Sequence, residues 1–255
     1  MPDRRLPTRP VRAVFFDAGN TLFREQPLRW EIYASVAREF GLPGEVERVR
    51  GEMIRAHDAL PQRVDGHFRY TNGWFRAYIA QVFRPLGAPA GQLPAIEERL
   101  SATFRDRRTF LIFPEVESVT RTLRERGLTL GIISNWSPRL PRLLGELSLE
   151  DRFDFTVCSA IEEVEKPDPE IFGRALARAG VEPAESIHVG DSVEKDVEGA
   201  RAVGIVPALV EREGPCGLDG DTADAHLCPP APGDGPFARL HDLRGLLPLI
   251  DGRDA

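Results

Sequence analysis

Strand-length apolar runs set among helical patterns restrict this chain more than any other feature. Residues 11–17 form an apolar run ending in Asp17, with Gly19 and Asn20 close behind, and read as a buried strand stopped by a turn. Residues 128–134, 153–159, 186–190 and 205–210 are further short, β-rich apolar runs. Helical spacing lies beside them. Val116, Val119, Thr120 and Leu123 lead into the second run; Leu140, Leu143, Leu144 and Leu147 follow it; Ile171, Phe172, Ala175, Leu176 and Ala179 precede the fourth. Strands alternating with helices of this length predict parallel βαβ units, hence an α/β fold with a doubly wound parallel sheet.

Residues 24–110 read differently, with no convincing strand. Ile32, Val36 and Phe40 recur every four residues, as do the pairs Trp74/Phe75, Tyr78/Ile79 and Val82/Phe83, and then Ile96, Leu100 and Phe104. These are amphipathic helices, their aromatic stripes read as packing, with Gly41 and Gly87 as stops. The predicted organisation is a Rossmann-like core of residues 1–23 and 111–255, with a four-helix domain, residues 24–110, inserted after the first strand. Residues 211–238, rich in Gly, Pro and Asp, read as a surface loop. No internal repeat or heptad array is evident.

Composition removes whole classes of function. The 255 residues carry 33 basic and 40 acidic side chains, a formal net charge of −7, and 42% are hydrophobic. That apolar share argues against disorder, and the acidic balance against nucleic acid or an anionic membrane as the main partner. No apolar run approaches the roughly 18 residues of a membrane span. Residues 1–10 are polar and Arg-rich, without the apolar stretch of a secretory signal. Cys158, Cys216 and Cys228 lack CxxC spacing, which suits a reducing cytoplasm better than a disulfide framework or a zinc site. Only Lys166 and Lys195 are lysines among the basic residues.

Ligands of open α/β sheets bind outside the carboxyl ends of the strands. Polar residues gather there: Asp17 with Gly19 and Thr21, Ser134 with Asn135, Lys166 before Pro167-Asp168, and Asp191 with Asp196. Singly, each has a structural reading. Asp17 and Ser134-Asn135 suit turns, Lys166 suits a surface, and Asp191-Ser192 suits a helix cap. Asp168 suits an N-cap with Pro169 at the first helical position and Gly180 as the stop. Jointly they supply carboxylates for a hard cation, hydroxyl and amide donors, and an ammonium, an inventory for holding a phosphate beside Mg²⁺. A carboxylate nucleophile, a metal and a point cation suffice for phosphoryl transfer.

In this order and spacing the segments resemble the four motifs of the haloacid dehalogenase-like (HAD) hydrolase superfamily. Phe16-Asp17-Ala18-Gly19-Asn20-Thr21-Leu22 resembles the first, normally DxDGTL, and Ile132-Ile133-Ser134-Asn135 the second. Residues 165–172, Glu-Lys-Pro-Asp-Pro-Glu-Ile-Phe, resemble the third as found in subfamily IA. Val189-Gly190-Asp191-Ser192, with Asp196 and Glu198-Gly199-Ala200, resembles the fourth. The resemblance spans residues 11–210, and the inserted helices are similar to the family's four-helix cap. It implies Asp17 as a nucleophile forming an aspartyl-phosphate, Ser134 and Asn135 as phosphate-binding residues, and Lys166 as the group stabilising phosphoryl charge. It also implies Mg²⁺ held by Asp17, the Gly19 backbone carbonyl and Asp191, with Asp196 in support. Lys195 receives no role and is expected in solvent. The implied partner is a small phosphorylated substrate, handled by a monomer or homodimer. His57, Arg63, His67, Arg69, Tyr70, Trp74 and Arg76 are the inserted residues able to read it, although each singly suits packing or solvent.

One position departs from the family pattern. Most family phosphatases carry a second Asp two residues after the nucleophile, as the acid for the leaving group and then the base for water. Here it is Gly19, and the missing group is worth ~10²–10⁴ in rate. Three relatives lack that acid. Haloacid dehalogenases usually replace the Gly-Asp of the fourth motif with a Ser-rich segment, whereas this chain keeps Gly190-Asp191 and Asp196. Phosphonoacetaldehyde hydrolases need a cap lysine, and residues 24–110 contain none. Phosphatase-like members are most similar. The expectation is a Mg²⁺-dependent phosphatase, with a 2-haloacid dehalogenase and a catalytically weak binding protein as the alternatives.

Overall fold

The computed structural model describes Pro7, residues 9–212 and residues 237–251. Its elements in chain order begin with β1 (Ala13–Phe16), β2 (Phe23–Glu25), α1 (Arg29–Glu39), α2 (Val46–Ala59), β3 (Arg63–Val64), β4 (His67–Phe68), α3 (Asn72–Phe83), α4 (Leu93–Arg105) and β5 (Phe110–Ile112). There follow α5 (Val116–Glu125), β6 (Thr129–Ser134), α6 (Leu140–Glu146), β7 (Phe155–Cys158), α7 (Ser159–Glu162), α8 (Pro169–Ala179) and β8 (Ser186–Gly190). The run closes with α9 (Gly199–Ala202), β9 (Val206–Val210), β10 (Ala238–Leu240) and α10 (Leu246–Ile250). The chain divides into two compact units, one of residues up to Phe23 and from Ile112 onward, the other Arg24–Leu111.

In the first unit six strands form one sheet in the order β10-β9-β8-β1-β6-β7, every adjacent pair parallel. β1 and β8 are buried along their whole length, as parallel strands covered on both faces are. Phe15, Ile133 and Val157 from three neighbouring strands pack with Ile171, Phe172 and Ala175 of α8. That helix is the one expected from its sequence. Asp168 caps it, its carboxylate accepting from Glu170 N at 2.9 Å, Pro169 opens it, and Gly180 ends it at φ +63°. The α/β class with a doubly wound parallel sheet is thus what the chain adopts.

The sheet has one strand more than the five expected. β10, only Ala-Arg-Leu, pairs with β9 and is too short to announce itself by periodicity. It begins at residue 238, where a loop was expected; the rest of that loop, residues 213–236, lies outside the described residues, as do Cys216 and Cys228.

The second unit holds α1 to α4, with the apolar stripes inward: Ile32 and Val36, Trp74, Tyr78, Ile79 and Phe83, Ile96 and Leu100 are all buried. Gly41 and Gly87 follow their helices at positive φ. The expectation of no strand here is corrected. β3 and β4 form a two-residue hairpin, with Asp65 at φ +48° and Gly66 at φ +81°. Asp-Gly between two pairing residues is a strong short-range hairpin signal, and two-residue strands give no alternation to accompany it.

Candidate active site

β1 ends at Phe16, which lies in register with Ile132 of β6 and Val189 of β8, and Asp17 N donates to Val189 O at 2.9 Å. From β1 the chain builds outward through β6 and β7, then crosses to lay down β8 on the other side of β1. The strand order therefore reverses between β1 and β8, and a crevice opens there at the carboxyl ends. Asp17 follows one of these two strands and Asp191 the other.

A buried ion network occupies this point. Lys166 is 3% exposed, and its Nζ donates to Asp17 Oδ1 at 2.7 Å and Asp196 Oδ1 at 2.5 Å. The surface reading of Lys166 is excluded. His188 Nε2 also donates to Asp196 Oδ1, at 2.8 Å, since an ionised carboxylate can only accept. Asp196 Oδ2 accepts from Ser192 N at 3.1 Å, while Ser192 Oγ accepts from Lys195 N, so the turn after Gly190 is capped from both sides. Asp191 lies partly exposed, and Asn20 Nδ2 donates to its Oδ2 at 3.2 Å. A Cβ on Gly190 would collide with the Asp196 carboxyl, so glycine is required at that point.

Several sequence expectations change. Asn135, expected on phosphate, spends both ends of its amide on the backbone of Lys166: Nδ2 donates to Lys166 O at 3.0 Å, and Oδ1 accepts from Lys166 N at 2.8 Å. It seats the lysine. Asp196, expected in support of the metal site, is turned toward Lys166 and His188. Lys195, expected in solvent, is half-buried. Ser134 closes β6 and is buried beside Asn135. Gly19 is not an empty position, because an added Cβ would lie 2.8 Å from Cζ3 of Trp136, whose ring also packs edge-on against Phe23.

Sequence reasoning missed His188, Trp136 and Arg212. His188 is an ionisable residue in the middle of a strand buried on both faces, which was the available signal. In the second unit, His57 is buried, with Arg69 Nη1 at 3.2 Å and Tyr70 Oη at 3.5 Å from its Nε2 and the Trp74 ring 6.1 Å away. Arg63 lies over Phe68, His67 is exposed on the hairpin, and Arg76 is exposed and paired with Glu97.

The electrostatics follow from burial and from who faces whom. Burial pushes Asp17 above the usual carboxylate range, with Lys166 opposing. Burial, then the charges of Asp17 and Asp196, push Asp191 further up. Burial works on Asp196 too, but Lys166 and His188 hold it well below the usual range. Lys166 is desolvated, yet Asp17 and Asp196 keep it charged; His188 is kept neutral by burial.

The family profile of haloacid dehalogenase-like hydrolases matches residues 11–204. The chain belongs to the haloacid dehalogenase-like hydrolases. The cattle (Bos taurus) haloacid dehalogenase-like hydrolase domain-containing protein 3 is 35% identical over 251 residues, covering 94% of each chain. A phosphoserine phosphatase of Thermus thermophilus is 30% identical over 255 residues, covering 92% of this chain and 97% of that one. Among solved structures, a 2-haloacid dehalogenase of Pseudomonas syringae is 25% identical, with TM-score 0.65, covering 94% of this chain and 98% of that one. No helix among the described residues is long and apolar enough to cross a membrane.

For a HAD hydrolase the remaining question of this site is its cation. Among the described residues, no three His, Cys, Asp or Glu side chains form a complete cation cage. The donor set nevertheless fits Mg²⁺. Three carboxyl groups face one ammonium and a neutral histidine, so when all three are ionised, as a bound cation would make them, two negative charges lack a counter-charge within the network. A hard divalent ion takes one or two carboxylates and fills its other positions with water and substrate phosphate. Asp17 and Asp191 are the pair available for that.

Proposed function

We propose that this HAD hydrolase is a Mg²⁺-dependent phosphatase acting on small phosphate monoesters, with Asp17 as the nucleophile. The observation that carries the reading is the gathering of three acids, Asp17, Asp191 and Asp196, around a single ammonium. Attack on carbon, as in a dehalogenase, has no need of it, whereas a site for Mg²⁺ does. The phosphoserine phosphatase relative supports the same reading.

Asp17 commits Oδ1 to Lys166 and is left with Oδ2 to attack phosphorus. Lys166 has three N–H donors and uses two on carboxylates; the third is free to meet a phosphoryl oxygen. Ser134, at the neighbouring strand end, supplies a hydroxyl to the phosphoryl group, and Asn135 contributes indirectly by seating Lys166. Asp17, Asp191 and the Gly19 carbonyl would hold Mg²⁺, which would neutralise phosphoryl charge. Asp196 supports the site by holding Lys166. The helical unit Arg24–Leu111 is proposed as the cap, and the protein as a cytoplasmic monomer or homodimer.

A phosphatase panel run with and without Mg²⁺, beside Asp17→Asn, tests the reading. Wild-type turnover should require Mg²⁺ and yield a phosphate adduct on Asp17 by mass spectrometry, and Asp17→Asn should be inactive because an amide cannot form the phosphoenzyme. Turnover that survives chelation, or the amide at position 17, overturns it.

A further inference from the structure

Arg212, the last described residue of the stretch after β9, has a side chain 11% exposed, set against Glu115 at 6%. Its guanidinium serves four groups at once. Nη1 pairs with Glu115 Oε1, Nη2 donates to the Thr21 carbonyl, Nε donates to the Asn20 carbonyl at 3.3 Å, and Cζ lies 3.7 Å from the centre of the Phe113 ring. Glu115 is anchored in turn, accepting from Leu243 N at 3.4 Å. A planar fork of donors engages two carbonyls and a carboxylate while its face lies on an aromatic ring, an arrangement the compact lysine ammonium does not reproduce.

The two carbonyls belong to the loop that leaves Asp17. There Asn20 holds φ +52°, a left-handed value uncommon for a residue other than glycine, and from it the side chain reaches Asp191. Asn20 N donates to Phe23 O at 2.7 Å and Leu22 N to Ala18 O at 2.9 Å, closing the turn. Arg212 grips that turn from its carbonyl side.

We propose that Arg212, aimed by Glu115, is a positioning residue for the reaction. It holds the loop after Asp17 in the shape that sets Asn20 against Asp191 and thereby fixes the pair of acids offered to Mg²⁺. The inference rests on the phosphatase reading above for its consequence, and on the loop geometry for its cause.

The test compares Arg212→Met and Glu115→Gln with Arg239→Met. Arg239 is as deeply covered, at 12% exposed, but it pairs with Glu211 and packs on Phe237. Amide exchange on the metal-free protein, Mg²⁺ calorimetry and steady-state kinetics are measured on each. Arg212→Met should exchange faster at Asn20 and Leu22, bind Mg²⁺ about 10-fold more weakly, and lose about 10-fold in kcat with KM little changed, the low end of what a direct outer partner costs, because Arg212 reaches Asp191 through Asn20. Glu115→Gln should move each readout the same way by less. Arg239→Met should move none of them, whatever it does to Tm. A folded Arg212→Met with wild-type exchange in the loop and wild-type Mg²⁺ affinity overturns the proposal, as does an Arg239→Met variant that matches it. Should Arg212→Met fail to fold, Glu115→Gln against Arg239→Met carries the same decision. A wild type that neither binds Mg²⁺ nor hydrolyses any phosphate sinks the phosphatase reading, and loop exchange still decides whether Arg212 holds the turn.

Discussion

Lys166 keeps its charge where burial alone would strip it, because two buried carboxylates face it. Removing one side of such a network leaves the other charges uncompensated, at a cost of about 3–5 kcal/mol. Lys166→Met should therefore lower Tm markedly as well as abolish turnover. A Lys166→Met protein that melts like wild type would show that the ammonium is not what holds Asp17 and Asp196. Position 19 carries a second prediction. The obstacle to a side chain there is space, since Gly19 does not need positive φ but an added Cβ meets Trp136. With no acid at this position, wild-type kcat/KM should fall steeply from aryl to alkyl phosphates. Gly19→Asp alone should help little, whereas Gly19→Asp with Trp136→Ala should raise alkyl phosphate turnover, by up to ~10²-fold. A flat wild-type series would mean that another residue delivers the proton. The identities of these polar residues were legible in the sequence, but their directions were not. Nothing in Ser134-Asn135 says that the amide points back at the Lys166 backbone, or that the next residue, Trp136, covers Gly19.

Elements were legible in proportion to their length. α5, α6 and α8 each bury the stripe that their spacing announces, because three or four apolar residues on one face leave a helix little choice. The core strands β1, β6, β7, β8 and β9 are largely apolar runs without strict alternation, as buried parallel strands tend to be. β3, β4 and β10 have two or three residues each, too few to show a period, and tertiary pairing makes them strands. The start of α8 is the clearest case of local chemistry fixing a boundary. Asp168→Ala should cost about 0.5–2 kcal/mol by orphaning the Glu170 amide, with kcat little changed because Lys166 is held from Asn135 rather than from the cap. Denaturant titration and kinetics on the variant check both halves; a large loss of kcat would tie the cap to the lysine.

At the scale of the whole molecule the site is a stability term. Asp17 and Asp191 hold protons more tightly than ordinary carboxylates do. Each makes the folded state lose stability as pH rises from the ordinary carboxylate value through its own raised value. Asp196 is held low and works in the other sense, its contribution present at neutral pH and lost only in strong acid. The chelated protein should therefore gain Tm from neutral into mildly acid solution, Mg²⁺ should raise Tm at neutral pH by binding the native state alone, and Asp191→Asn should flatten both effects. Melts across pH with EDTA or Mg²⁺ measure this, and a chelated Tm that falls steadily on mild acidification contradicts it.

The reversal of strand order between β1 and β8 also has a meaning in time. Asp17 is made among the first residues, yet Lys166 lies 149 positions further on, and Asp191 lies 171 positions beyond Asn20. Contacts so distant along the chain close late, because each must first bring together the ends of a long loop. A nascent chain that has reached only β7 owns Asp17, the proposed nucleophile, but neither its lysine nor its second acid. Its Asp17 is then an ordinary carboxylate on an unpaired strand edge. On the phosphatase reading, residues from 166 onward thus confer reactivity on a residue from the beginning of the chain, and an unfinished or truncated product should not attack the phosphate esters around it.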